Sequence, residues 1–86
     1  MGKIEKLLKK VLSGKSDNSI PIARLKTLLL HLGFEEREGE GSHTIFSKQG
    51  IPTLINLQED KSGKAKNYQV RQVRKIIIKY QLFDHV

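Results

Sequence analysis

The chain has 86 residues, enough for one small domain and too few for a separate cofactor domain. It contains no cysteine, which removes disulfides, thiolate nucleophiles and cysteine-based zinc sites and fits a reducing compartment. Sixteen Lys and Arg against nine Asp and Glu give a net charge of +7, a field that favours polyanions: nucleic acid, an acidic protein or an anionic membrane surface.

Taken from the N-terminus, Ile4, Leu7, Leu8, Val11 and Leu12 recur at helical spacing and predict a short amphipathic helix that Gly14 stops. Docking on the core is the expected use of this helix, because two or three turns bind a membrane surface weakly. The segment lacks the apolar stretch and cleavage site of a secretory signal. Residues 13–19 are polar and read as a linker. Gly14-Lys15-Ser16 has the ending of a phosphate loop, but Lys9 stands where the first glycine is required and no strand precedes it.

A second helix follows, with Ser19 as N-cap, Pro21 in the first turn and Gly33 just past the end. Ile22, Leu25, Leu28, Leu29 and Leu32 form its apolar face. Three strands are expected at residues 34–38, 42–48 and 51–57, joined by Gly39-Glu40-Gly41 and by a Gln49-Gly50 hairpin turn. Alternation places Phe46 and Thr44 on one face, with Ile51, Thr53, Ile55 and Leu57 as the matching core face of the third strand. Pro52 marks an edge or an N–H facing solvent. A polar loop to Lys66 leads into a last helix over residues 67–82, with Asn67 as N-cap and Val70, Val73, Ile77 and Tyr80 as its buried stripe. Residues 83–86 read as a frayed tail. The longest aliphatic runs, Leu28-Leu29-Leu30 and Ile76-Ile77-Ile78, are far short of the ~20 residues that cross a bilayer, so no membrane partner is expected. The reading is therefore a single α+β domain over residues 1–86, in the order α-α-β-β-β-α, with an antiparallel three-stranded sheet.

The charge is uneven. Lys61, Lys64, Lys66, Arg71, Arg74, Lys75 and Lys79 fall in one stretch without an acid, while Glu35, Glu36, Glu38 and Glu40 cluster around the first strand. A charge run is usually a solvated face. Here it also stands at the start of a helix, where free N–H groups already favour anions, and it continues along that helix. Aromatic residues do not pair into an obvious stacking platform, so a reader of RNA shape and backbone is easier to support than a single-strand stacker.

Of the three histidines, His31 ends a leucine-rich helix and His85 lies in the tail. His43 follows Gly41-Ser42 at the start of a strand beside a tight turn. On a basic surface an imidazole can take a proton from a ribose 2′-hydroxyl or give one to a leaving oxygen, and lysines nearby would stabilise the phosphoryl charge. One histidine cannot be acid and base at once, and no second proton carrier stands out. No cluster has metal-ligand spacing, so neither metal nor other cofactor is expected.

Leu32-Gly33-Phe34, then Gly41-Ser42-His43-Thr44-Ile45-Phe46, then a strand and a terminal helix resemble the HicA family of toxin mRNA interferases. The likeness runs from about Ile22 to Tyr80. It implies a fold like that of double-stranded-RNA-binding domains, with helices on one face of the sheet and residues 20–82 as the core. It also implies metal-independent cleavage of mRNA with His43 as the catalytic residue, a HicB-type antitoxin as protein partner, and a cytoplasmic setting. Ser42 belongs to the motif and joins Lys61, Lys64, Lys66, Arg71, Arg74 and Lys75 as the expected RNA-binding set. Lys64-Ala65-Lys66 is similar to the basic segment with which such domains grip phosphates across a groove. Many members begin almost at the second helix, so residues 1–14 are an extension. A non-catalytic RNA-binding module of the same fold is the alternative, and an adaptor for an acidic protein a third.

Overall fold

A computed structural model describes residues 2–59 and 61–82 of the chain. The order is α1 (Lys3–Ser13), α2 (Ile22–His31), β1 (Glu35–Glu38), β2 (His43–Lys48), β3 (Ile51–Gln58) and α3 (Asn67–Lys79). The strands form an antiparallel sheet in the order β1-β2-β3, so the architecture is the expected α+β one. The expected tail at residues 83–86, including His85, lies outside the described residues.

The helices form where apolar residues recur at three- and four-residue intervals, and each buries that stripe. Leu7, Leu8 and Val11 of α1 join Leu25, Leu28 and Leu29 of α2 and Val70, Val73 and Ile77 of α3 in one core with Phe46, Ile55 and Leu57 of the sheet. Helix α1 thus builds the same core as the rest of the chain. A buried leucine contributes roughly 1.5–3 kcal/mol relative to an exposed one, so α1 is a substantial part of a small domain's stability. The end of α2 shows why its sequence stops there. Gly33 takes φ 95, its N–H donates to the Leu30 carbonyl, and the Phe34 N–H donates to the Leu29 carbonyl. This is a Schellman motif, in which only glycine turns left-handed without strain, and it delivers Phe34 into the core.

Several sequence expectations shift. Ser19 does not cap α2: its hydroxyl donates to the Ser16 carbonyl, and Pro21 holds the cap position. The reason is long-range. The Ala65 N–H donates to the Ile20 carbonyl at 2.8 Å and the Ile22 N–H to the Gly63 carbonyl at 2.9 Å, so residues 20–22 pair with the loop before α3. Lys66, not Asn67, precedes α3, and the Gln69 side chain reaches back to accept its N–H at 3.0 Å. Gln69 is buried in this role, and Ile76 joins the buried stripe while Tyr80 is only half-buried. Helix α3 stops at Lys79, and Gln81 at φ 54 turns the chain so that Leu82 re-enters the core.

In β3, Thr53 is exposed although alternation assigns it inward. The register explains this. Phe46 pairs with Ile55 but Lys48 with Ile51, an irregularity that pushes residues 52–54 out of the ladder. Pro52, which has no N–H to give, sits in that stretch. The shift is by two residues, so Ile51 and Ile55 stay on the core face. All four residues of β1 are exposed, which leaves the acidic edge of the sheet uncovered.

Candidate functional site

His43 opens β2 on the face of the sheet turned away from the core. Its neighbours Thr44 and Phe46 point inward and pair with Leu57 and Ile55, so His43 and Ile45 face outward with Gln58 and Asn56 opposite them. The turn before His43 is tight. The Gly39 N–H donates to the His43 carbonyl at 3.0 Å and the His43 N–H to the Glu40 carbonyl at 3.2 Å. A Cβ on Gly39 would lie 3.3 Å from both His43 Cβ and Ile45 Cδ1, so the backbone of the turn lies against the base of the histidine. Ser42 is exposed and clips the hairpin to the end of β3: its hydroxyl donates to the Glu59 carbonyl and its carbonyl accepts the Glu59 N–H. Glu59 in turn pairs with Lys26 of α2 at 2.8 Å, which neutralises that cation.

The imidazole is half-buried. His43 Nδ1–H donates to Asn56 Oδ1 at 2.8 Å. An amide oxygen only accepts, so Nδ1 carries the proton and the lone pair of the neutral ring sits on Nε2. The ring lines a groove of about 250 Å³ with Asn56, Gln58, Tyr68, Gln69 and Gln72, between the outer face of the sheet and the first turns of α3. No lysine, arginine or carboxylate lines it. The side chains of Gln58, Tyr68 and Gln72 make no hydrogen bond to another described residue. The groove therefore offers amide donors and acceptors, a solvent-facing phenol and one imidazole. It suits a neutral, hydrogen-bonding moiety better than a phosphate.

The expected cations lie outside the lining of this groove and differ in exposure. Lys61 and Lys64 are exposed on the loop before α3, Lys66 is half-buried at its start, and Arg71 and Lys75 stand on its solvent face. Arg74 is the exception. Its side chain is 19% exposed and points away from solvent, donating from Nη1 and Nη2 to the two carboxylate oxygens of Asp17 at 2.9 and 3.1 Å and from Nη1 to the Val11 carbonyl at 3.1 Å. Arg74 is thus corrected from a candidate RNA contact to a clamp that ties the end of α1 and residues 14–19 to α3. The same clamp shows that residues 14–19 are anchored, not a free linker.

Asn56, Gln58, Tyr68 and Gln72 were not singled out by the sequence. A signal existed for Asn56: counting back from a two-residue Gln49-Gly50 turn puts it directly opposite His43. The irregularity in β3 moves it one pair along, to a diagonal position on the same face, still within reach of the ring. No protein-family model matches the chain, and neither a curated protein nor a solved structure does. None of the described helices is long and apolar enough to cross a membrane.

Proposed function

We propose that this chain is a metal-independent endoribonuclease of the HicA kind, the toxin of a toxin–antitoxin pair that acts on mRNA in the cytoplasm and is held in check by a HicB-type antitoxin. The observation that carries the proposal is the orientation of His43: Nδ1 is tied to Asn56, and the basic Nε2 is left for a substrate in a groove beside a cationic helix.

In the proposed step Nε2 takes the proton of a ribose 2′-hydroxyl. The 2′-oxygen attacks the adjacent phosphorus, the bond to the 5′-oxygen breaks, and that oxygen takes a proton from solvent. The products are a 2′,3′-cyclic phosphate and a 5′-hydroxyl end, and His43 then returns its proton to water. Lys61, Lys64, Lys66, Arg71 and Lys75 would hold the phosphates on either side. The base attached to the reacting ribose would enter the amide-lined groove, with Tyr68 as the ring it stacks on.

A non-catalytic RNA-binding module is the second reading, favoured by the absence of a cation or carboxylate from the groove lining. End-labelled RNA incubated with EDTA-treated protein separates the two. The nuclease reading expects cleavage that ends in a cyclic phosphate, and uncut RNA retained by the protein supports the module instead.

A further inference from the structure

A second concavity of the described residues shares no lining residue with the His43 groove. It lies between α1 and the start of α2, with a volume of about 370 Å³. Lys3, Lys6 and Lys10 line it from α1, and Arg24 lines it from α2. The three lysines stand at i, i+3 and i+7, which places them along one flank of the helix. All four cations are exposed, none pairs with an acid among the described residues, and no acid lines the groove. By contrast, Arg74 is taken by Asp17, Lys26 by Glu59 and Lys9 by Glu5. The floor is formed by Leu7 and Ile20, both core residues, so the cations rest on a rigid base.

One wall of this groove is the strap of residues 19–21. That strap is the segment to which the lysine loop is hydrogen-bonded. Pro21 forms a β-bridge with Lys64, the Ala65 N–H donates to the Ile20 carbonyl, and the Ile22 N–H donates to the Gly63 carbonyl. The α1 lysines and the loop before α3 are thus joined through one fixed piece of backbone. They are more than 50 residues apart in sequence, and both border this strap, so together they make one candidate basic band.

We infer that the α1–α2 groove is a second phosphate-binding site, which extends the track of Lys61, Lys64 and Lys66 along the backbone of the same RNA strand. This rests on the RNA reading above. Continuity with Lys64 favours a long polyanion over a compact acidic peptide, since one strand can engage both clusters while remaining in contact with fixed backbone. The N-terminal helix then has a use beyond its share of the core: it lengthens the footprint on RNA.

The test is the salt dependence of binding of a fluorescent single-stranded oligoribonucleotide to the full chain. The variant Lys3→Gln/Lys6→Gln/Lys10→Gln/Arg24→Gln is compared with Lys9→Gln/Lys15→Gln/Arg37→Gln/Lys48→Gln, which loses the same charge outside the band. Each lost phosphate contact to a single strand lowers the log–log slope by about 0.7, so the groove variant is expected to lose roughly 3 and the control less than about 1. Thermal unfolding by circular dichroism checks that both variants fold. Equal losses in the two variants overturn the inference and leave the RNA reading standing. A groove variant that keeps its RNA slope but no longer binds poly-glutamate overturns it in favour of an acidic protein ligand. A wild-type protein whose RNA binding is insensitive to salt overturns both the inference and the reading beneath it.

Discussion

Arg74→Ala is expected to weaken the fold and leave RNA binding nearly intact, although the residue sits in the most basic stretch of the chain. The guanidinium makes two charge-assisted bonds to Asp17 and one to the Val11 carbonyl, and the two side chains are only 19% and 15% exposed. Removing one partner of a fully buried ion pair costs about 3–5 kcal/mol, because the remaining charge is stranded away from water. Here water reaches part of both groups, which lowers the expected loss to about 2–4 kcal/mol. A domain of this size loses roughly 4–8 °C in Tm per kcal/mol, so a drop of about 8–32 °C is anticipated. Urea and thermal unfolding followed by circular dichroism measure the loss. Asp17→Ala is expected to cost nearly as much, and the double variant little more than either single one, because the two side chains act as a unit. RNA binding, measured at a temperature where wild type and variant are both folded, keeps its salt slope. A variant as stable as wild type that loses about 0.7 from that slope would mean that Arg74 faces a phosphate, and the clamp would be wrong.

Three further outcomes follow from the geometry. Asn56→Ala frees the imidazole to rotate and to change tautomer; single-turnover cleavage is expected to fall by roughly 10–10²-fold with RNA affinity unchanged, and equal rates would remove Asn56 from the site. Tyr68→Ala is expected to weaken single-stranded RNA by the ~1–3 kcal/mol of one stacked base, while Tyr68→Phe keeps the affinity; a titration in which both variants bind like wild type excludes stacking there. Gly33→Ala forces a Cβ into a left-handed position and against the Lys48 ammonium, so chemical unfolding is expected to report a loss of about 1–2 kcal/mol, and no loss would contradict the left-handed cap.

What the sequence conveys well is local. The leucines of α2, the Gly33 stop and the Gln49-Gly50 turn each signal through neighbours a few residues away, and the element order follows from them. What it conveys poorly depends on partners far along the chain. Ser19 has the chemistry of an N-cap, but the helix start is set by the Ile22 N–H donating to the Gly63 carbonyl and the Ala65 N–H donating to the Ile20 carbonyl. Arg74 is indistinguishable from Arg71 until Asp17, 57 residues away, is known to lie beside it. Thr53 obeys alternation until the ladder slips around Pro52. The candidate site divides in the same way. His43 stands out because histidine chemistry is rare and its Gly-Ser setting is distinctive. Asn56, Gln58, Tyr68 and Gln72 are uncharged residues on two separate elements, and only the fold brings them to one groove. The lysines of α1 read as the polar side of a helix, and their link to Lys64 runs through backbone bonds that no periodicity conveys.

The central claim is that His43 moves the proton. The direct measurement is single-turnover cleavage of a labelled RNA by wild type and by His43→Ala, with RNA affinity and the unfolding curve of each protein taken alongside. A fall of about 10²–10⁴ in rate, with affinity and stability held, is the predicted result. Cleavage by the alanine variant at the wild-type rate would show that the chemistry, if the chain performs it, belongs to another residue.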